Sequence, residues 1–277
     1  MMTDGVGQED TVGKAPTRFQ QMGNKDSRLS VIVHKWRHYS RRYGRLSAIL
    51  RYIGRCYPRV WSLFGGIATT SYLKWWKRQP GTKLLNLGGG GNLNEEWLTA
   101  DVDPRADVFV DCGETLPFAN GTVDGIMLEE VIEHLDYLRG LKLLKECNRI
   151  LKGNGILRVS TPDVMWFAEL QIRPMLSNAQ EAKEDFVYRE GCRLLGTNDA
   201  PDELIRAAAL NSIFFFHGHR FVYTSQSLEK LFCLAGFEFR RSTYREANSK
   251  LARLDTHPER FRHPPEISLY YDAWKKA

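Results

Sequence analysis

A run of four glycines followed by an aspartate is the part of this 277-residue chain best suited to binding a ligand. Gly88 to Gly91 lie in the stretch LNLGGGGN (85–92) and lack Cβ atoms, so a ligand can approach their main chain closely. Asp101 ends the next apolar stretch, ten residues after Gly91. An acidic residue at the end of a second strand can bond both hydroxyls of a ribose. The pattern predicts a nucleoside pocket.

The ten-residue spacing distinguishes between nucleotides. A dinucleotide-binding fold places its acid about twenty residues after the glycines, because a full helix intervenes and its N-terminus holds the pyrophosphate. Residues 92–97 leave room for little more than one helical turn. S-adenosylmethionine contains ribose, adenine and an amino acid but no phosphate, so it does not need that helix. The spacing therefore favours S-adenosylmethionine over NAD.

Alternating strands and helices are expected to position these residues. Apolar stretches predict strands over 83–87, 97–102, 107–111, 123–128, 155–160, 237–244 and 267–274. Helices are predicted over 132–151, ending at Gly153, and over 226–235, with Thr224 or Ser225 as N-cap. This alternation is typical of an α/β fold with helices on both faces of a parallel sheet. Ligands of such folds bind beyond the carboxyl ends of the strands.

Several motifs in the correct order carry a family resemblance. They are LNLGGGGN (85–92), DVDP (101–104), Asp111 with LPF (116–118), VIEHL (131–135), RILKGNG (149–155) and STPD (160–163). Residues 83–163 resemble class I S-adenosylmethionine-dependent methyltransferases, most closely a subgroup with a short first crossover associated with cell-surface polysaccharide synthesis. The resemblance implies a Rossmann-like seven-stranded sheet of order 3-2-1-4-5-7-6 with the final strand antiparallel. Asn86 and Asn92 replace an acid and a glycine that are common elsewhere in the superfamily.

The resemblance also implies roles for individual residues. Asp101 would bind the ribose hydroxyls, Asp111 and the backbone of Cys112 would meet the adenine edge, and Glu129 would lie near the sulfonium. The glycines would pass under the methionine and ribose. The full set expected to bind S-adenosylmethionine is Asn86, Gly88, Gly89, Gly90, Asp101, Asp103, Asp111, Cys112 and Glu129.

Three histidines are the candidates for acceptor chemistry. Residues 164–222 are too long for an ordinary crossover, so they are expected to form a helical cap that leads to His217 and His219. A hydroxyl acceptor must lose its proton, and histidine titrates near neutral pH. His134 of the VIEHL motif is the third candidate. The alternative is that these histidines make structural hydrogen bonds only.

The cysteines give no sign of a metal site or a disulfide framework. Five are scattered through the chain without a CxxC or Cys/His ligand spacing. No metal is therefore expected, and a reducing cytosol is the simplest environment. The first thirty residues contain no apolar segment typical of a signal peptide.

The front of the chain is strongly basic. Residues 1–80 contain 15 Lys and Arg against 4 Asp and Glu, although the whole chain has a net charge of only +6. Residues 1–27 are predicted to be a disordered tail and 28–80 a basic helical arm, with an apolar stripe from Ile32 to Tyr57. The methyltransferase domain is expected over 81–277. The arm has three interpretations: packing on the domain, binding of an anionic membrane surface through residues 29–78, or binding of nucleic acid, which ranks below the membrane.

Together these patterns predict a cytoplasmic S-adenosylmethionine-dependent methyltransferase, peripheral at the inner face of the membrane. Its acceptor would be a hydroxyl or carboxyl of a cell-surface glycan or of a lipid-linked small molecule. Two alternatives remain open. One is an RNA methyltransferase that uses the basic arm, and the other is a catalytically silent nucleoside-binding module. The oligomeric state is not predicted.

Overall fold

A computed structural model describes residue 49 and residues 69–70, 72–74, 76–169 and 186–276. The predicted tail, most of the predicted arm and residues 170–185 of the predicted cap lie outside the described residues. Of the helices in the described part of the chain, none is both long enough and apolar enough to cross a membrane.

Seven strands form one mixed sheet in the order β3-β2-β1-β4-β5-β7-β6, as predicted. All neighbouring strands are parallel except β7, which runs antiparallel to both β5 and β6. The strands are β1 (Leu84–Leu87), β2 (Trp97–Asp101), β3 (Val108–Phe109), β4 (Val123–Glu129), β5 (Leu151–Pro162), β6 (Phe237–Ser242) and β7 (Ser268–Lys275).

The centre of the sheet is buried on both faces. Leu85 of β1 and Ile126 of β4 lie on one face and are fully inaccessible to solvent, and Asn86 and Met127 on the opposite face are 3% and 2% exposed. Successive side chains of a strand point to opposite faces, so only a sheet covered on both sides needs such continuous apolar strands. The buried centre fixes the strand ends, and the loops at the carboxyl ends of β1, β2 and β4 are therefore held on a rigid edge.

Six α-helices have both ends in the described residues, and residues 69–70, 72–74 and 76–78 are also helical. The six are α1 (Tyr137–Ile150), α2 (Val164–Glu169), α3 (Phe186–Leu195), α4 (Asp202–Phe215), α5 (Ser225–Leu234) and α6 (His257–Phe261). Helix α5 begins at the predicted cap, because the Thr224 side chain accepts the N–H of Ser227 and the Ser227 hydroxyl accepts the N–H of Thr224.

The predicted helix over 132–151 was wrong at both ends. Its first residues form a separate 3₁₀ turn, Ile132–His134, after which Leu135 is extended. Asp136 then caps α1 by accepting the N–H of Arg139 at 3.0 Å. The helix ends at Ile150 because β5 starts at Leu151, four residues before the predicted strand, and pairs there with Val123 of β4. The separate turn leaves His134 at the carboxyl edge of the sheet.

Helices α2, α3 and α4 lie in the segment between β5 and α5, residues 164–222, here called the cap segment. The segment leaves the sheet and returns to it at one point, where Asp163 and Tyr223 form a β-bridge. The N–H of Val164 also donates to the Tyr223 carbonyl at 3.1 Å. Both ends of the segment are thus fixed at the carboxyl end of β5.

Residues ahead of β1 pack against the edge of the sheet. The Thr69 hydroxyl accepts the N–H of Phe109 in β3 at 2.8 Å and donates to the Phe109 carbonyl at 3.3 Å. Trp76 is buried, and its ring meets Phe118 edge-on with centroids 6.0 Å apart. The packed body therefore begins before residue 81, where the methyltransferase domain was expected to start.

Candidate active site

The glycine turn after β1 contains glycines required for packing and one that faces open space. A Cβ on Gly88, whose φ is +72°, would overlap the Val131 side chain, and one on Gly89 would overlap the buried Asn86. Gly90 has a φ of +56°, and no atom lies within 4 Å of its Cβ position. Gly90 therefore leaves bare backbone against which a ligand can lie.

Asp101 faces this turn from the end of β2. Its Oδ2 accepts the N–H of Gly90 at 2.7 Å, and its Oδ1 accepts the N–H of Asp103 at 2.8 Å. Burial raises the pKa of Asp101, while these two bonds lower it. Each carboxylate oxygen can accept a further bond, so the residue can still receive two hydroxyls. The carboxylate of Asp103 pairs instead with the Arg105 guanidinium at 2.5 Å.

Asp111 and Cys112 lie close to Asp101. Burial raises the pKa of the Cys112 thiol, and the negative charges of Asp101 and Asp111 raise it further. Asp111 is held by the N–H of Gly113, which donates to its Oδ1 at 2.8 Å. The ends of three neighbouring strands thus bring the expected ribose and adenine residues together beside the glycine turn.

The carboxylate of Glu129 at the end of β4 is engaged by a segment distant in sequence. It accepts the N–H groups of Thr256 and His257 at 2.6 and 2.7 Å and the Thr256 hydroxyl at 2.9 Å. Burial raises the pKa of Glu129, and these bonds lower it. The Asn92 amide donates to the same Thr256 hydroxyl at 3.1 Å. The segment 249–264, here called the roof segment, therefore spans the ends of β1 and β4.

A buried arginine fastens the roof segment to the sheet. Arg158 of β5 is 1% exposed and donates to Asp255 at 2.6 and 3.1 Å and to Asp272 of β7 at 3.2 Å. Asp255 directly precedes Thr256, so the ion pair sets the position of the residue that bonds Glu129. The roof segment was not predicted from the sequence, although a threonine two residues before Pro258 is typical of a helix start.

The three candidate histidines lie close together at the carboxyl edge of the sheet. The N–H groups of Arg220 and Phe221 donate to the Glu133 carbonyl at 2.7 and 3.2 Å, which joins the end of the cap segment to the 3₁₀ turn. The rings of His134 and His219 consequently lie 5.0 Å apart between centroids. The ring of His217 lies 5.6 Å from that of His219.

His219 is neutral, with its proton on a defined nitrogen. Its Nδ1 lies 2.5 Å from the Ile213 carbonyl, and a carbonyl only accepts, so Nδ1 carries the hydrogen. Nε2 therefore presents a lone pair. Burial lowers the pKa of His219 to about 4. A neutral imidazole with a free lone pair can accept a proton from an acceptor hydroxyl or bind a metal ion.

His217 is more exposed and is paired with an acid of the cap segment. Its Nε2 lies 3.2 Å from Oε1 of Glu190, and its side chain is 47% exposed. The Arg193 guanidinium and His217 hold the pKa of Glu190 down at about 2. Glu190 was absent from the sequence-based site, because no spacing in the sequence links it to His217.

Two further buried acids follow β4, Glu130 directly after the strand and Glu133 in the 3₁₀ turn. Burial raises the pKa of Glu133 to about 7, and Thr161 donates to its carboxylate at 2.9 Å. Glu130 has a φ of +55°, which is rare for a residue with a side chain and occurs often at functional sites. Burial, and then the charge of Glu133, raise the pKa of Glu130 well above its usual value.

The histidines lie within electrostatic reach of the nucleoside residues. Burial lowers the pKa of His134, and the charge of Asp101 acts in the opposite direction. The influence of Asp101 on His134 thus places the histidine cluster near the residues expected to hold the nucleoside.

Comparisons with known proteins agree with this geometry. The family described as methyltransferase domain matches residues 70–242. Probable S-adenosylmethionine-dependent methyltransferases from two strains of Mycobacterium tuberculosis, CDC 1551/Oshkosh and H37Rv, are each 39% identical over 66 residues, which cover 24% of this chain and 23% of each relative. The similarity thus spans about a quarter of the length of these relatives.

Solved structures with similar folds are more distant. A possible histamine N-methyltransferase from Thermotoga maritima is 19% identical, covers 82% of this chain and 99% of its own, and has a TM-score of 0.39. A methyltransferase from Archaeoglobus fulgidus is 16% identical, covers 78% of this chain and 94% of its own, and has a TM-score of 0.41. The fold assignment rests on the sheet order described above.

The match to the methyltransferase domain extends over more than half of the chain, from the packed residues ahead of β1 to the end of β6. The sheet order is the one that the resemblance to class I methyltransferases implied. The chain belongs to the methyltransferase domain family and has the class I methyltransferase fold.

Proposed function

We propose that the protein transfers a methyl group from S-adenosylmethionine to a hydroxyl oxygen of a second substrate. The observation that carries the proposal is the hydrogen bond between Gly90 and Asp101, which joins the ends of β1 and β2. It places the Asp101 carboxylate, which can accept further hydrogen bonds, beside the backbone of Gly90, where no atom occupies the position of a Cβ. The names of the two mycobacterial relatives support the same cofactor.

The residues of the pocket fit the parts of the cofactor. Asp101 would receive the ribose hydroxyls, and Asp111 with the Cys112 backbone would border the adenine. S-adenosylmethionine supplies a methyl group activated by a sulfonium. Glu129, held by the roof segment, would orient the end of the pocket near that group. Transfer then depends mainly on positioning the acceptor.

The histidine cluster would prepare the acceptor. His219 would present an unprotonated Nε2 at neutral pH, because burial lowers the pKa of the ring to about 4 and the Ile213 carbonyl holds the remaining hydrogen on Nδ1. A hydroxyl placed against this nitrogen can give up its proton as the oxygen becomes the nucleophile. His134 and His217 flank that position. The cluster therefore favours a hydroxyl acceptor over a group that is already deprotonated.

The finer proposal is that the acceptor is a cell-surface glycan or a lipid-linked small molecule. Three consecutive phenylalanines directly before His217 are 38%, 74% and 60% exposed, namely Phe214, Phe215 and Phe216. Large exposed apolar side chains beside a reactive cluster suit a substrate with an apolar part. The basic composition of residues 29–78 would hold the protein at an anionic membrane where such a substrate lies.

The experiment is calorimetric binding of S-adenosylhomocysteine to the full-length protein and to Asp101→Ala. We expect the wild type to bind and the variant to lose about 1.5–3 kcal/mol, the range for hydrogen bonds to a charged group. Glu114→Gln is the matched control, because Glu114 is an exposed carboxylate beside the pocket that pairs with Lys142. The control should keep the wild-type affinity. Binding of NADH without S-adenosylhomocysteine would overturn the cofactor assignment.

A further inference from the structure

Glu133, His134 and His219 form a cluster in which each residue offers one ligand atom, and these atoms all lie within 4.8 Å of one another. No metal was expected from the sequence, because it contains no CxxC or Cys/His ligand spacing. The three residues instead come from two segments that the bonds to the Glu133 carbonyl bring together. Two imidazoles and one carboxylate are a frequent ligand set for divalent transition metals.

The other polar atom of each side chain is held by a neighbour. His219 donates Nδ1–H to the Ile213 carbonyl at 2.5 Å, and Thr161 donates to Oε2 of Glu133 at 2.9 Å. The backbone of Gly218 bonds the His134 ring. Metal-binding histidines and carboxylates are typically oriented by outer partners of this kind, which leave the inner atoms free for the ion.

The spacing of the inner atoms requires only a small closure. His134 Nε2 and Glu133 Oε1 are 4.0 Å apart. Metal–ligand distances of about 2.1 Å place two ligand atoms of a tetrahedral ion about 3.4 Å apart. Changes of about 1 Å in the side chains would complete the set. Three protein ligands leave at least one coordination position open, as in catalytic metal sites.

We propose that Glu133, His134 and His219 bind a divalent transition-metal ion that holds the acceptor oxygen. The proposal rests on the proposed methyl transfer for its purpose but not for the existence of the site. A hydroxyl bound to such an ion loses its proton more readily. With its Nε2 bound to the ion, His219 is a ligand and no longer the proton acceptor. The O–H bond then breaks and the proton passes to water, which reaches the cluster because the His134 side chain is 44% exposed.

The test uses tag-free, full-length protein freed of metal with a chelator. It is titrated with Co²⁺ alone, and the visible absorption of the coordinated ion is followed. We expect saturation at one ion per chain, and a loss of affinity of at least about tenfold in His134→Ala and in His219→Ala. His263→Gln is the control, since His263 is a hydrogen-bonded histidine of the roof segment. It should titrate as the wild type does.

Binding of S-adenosylhomocysteine is measured on the same samples and shows which variants are folded. If His219→Ala does not fold because it loses the bond to Ile213, Glu133→Gln provides the second test, since it keeps the shape and an acceptor for Thr161. The proposal is overturned if the wild type shows no saturable Co²⁺ signal. It is also overturned if the folded variants bind Co²⁺ as tightly as the wild type. If the wild type binds Co²⁺ but not S-adenosylhomocysteine, the proposed function is contradicted and the metal site is not.

Discussion

At the scale of single residues, the glycines of the turn have different tasks. The Cβ position of Gly88 is filled by Val131, whereas that of Gly90 is empty. The sequence shows four equivalent glycines and gives no means of separating them. The distinction arises from the 3₁₀ turn after β4, which carries Val131 back against the first strand. Replacing Gly88 should therefore affect mainly stability, whereas replacing Gly90 should also affect ligand binding.

We expect Gly88→Ala to lower the free energy of unfolding by about 2–4 kcal/mol, because its methyl group overlaps Val131 and its φ is left-handed. Gly90→Ala should cost only about 1–2 kcal/mol for the left-handed backbone. It should also weaken S-adenosylhomocysteine binding by at least about tenfold, or 1.4 kcal/mol. Urea unfolding and calorimetry measure the two effects. Unchanged affinity in Gly90→Ala would mean that the ligand does not lie on this backbone.

At the scale of elements, the roof segment is the part of the site that depends on long-range contacts. Its residues bond Glu129, Asn92 and Arg158, which lie on three different strands or their ends. The strand order was predictable, because apolar stretches and turn residues are local signals. The contact between Glu129 and Thr256 joins residues 127 positions apart and leaves no local pattern. The same reason explains why Glu190 was missed beside His217.

Arg158→Met should lower the free energy of unfolding by about 3–5 kcal/mol, because it leaves the buried carboxylate of Asp255 without its ion-pair partner and that of Asp272 with only the more exposed Arg240. Chemical denaturation provides the measurement. Arg253→Met is the control from the same segment, since Arg253 pairs with Glu96 on the surface at 58% exposure. It should cost no more than about 1 kcal/mol. Equal losses in both variants would show that the buried ion pair does not fasten the roof segment.

The histidines of the roof segment make its stability depend on pH. His257 Nδ1 and His263 Nε2 are 2.5 Å apart, and burial together with the His263 ring lowers the pKa of His257 to about 3. An unfolded histidine has a pKa of about 6.5. Between these values the unfolded chain binds a proton that the folded chain does not, so stability falls as the pH falls.

The stability advantage of the wild type over His257→Gln should therefore shrink on acidification. Between about pH 7 and pH 5 the expected loss is up to about 2 kcal/mol. Urea unfolding of both proteins at the two pH values measures it, and the comparison cancels the carboxylates that titrate in both. A difference that is independent of pH would show that folding does not lower the pKa of His257.

At the scale of the whole molecule, the chain joins a methyltransferase body to a basic front. The sequence predicts a domain boundary at residue 81, but Thr69 packs on β3 and Trp76 packs on Phe118. Local signals such as Pro80 and Gly81 indicated a boundary, although tertiary contacts continue on both sides of it. A functional division of the chain should therefore be made ahead of Thr69.

Deletion of residues 1–67 should leave a folded protein that still binds S-adenosylhomocysteine. The protein without residues 1–80 should have a free energy of unfolding roughly 2 kcal/mol or more below that of the protein without residues 1–67, because it also lacks the buried Trp76 and the Thr69 bonds to β3. Thermal unfolding and calorimetry measure both. Equal stability of the two truncated proteins would place the boundary at 81 after all.

The same pair of proteins tests the membrane proposal. The intact protein should sediment with anionic vesicles at low salt, and the association should weaken as salt rises. The protein without residues 1–67 should remain in the supernatant. Retention of single-stranded RNA without any binding to anionic vesicles would favour the RNA methyltransferase alternative.

The bridge between Asp163 and Tyr223 gives the fold a natural point of exchange. Helices α2, α3 and α4 belong to a segment whose two ends meet at this bridge, so the length of the segment can change with little cost in loop-closure entropy. The nucleoside pocket is built from residues outside that interval. This insert can therefore change in length or sequence without altering any residue of the nucleoside pocket, so the two halves of the site are structurally independent modules.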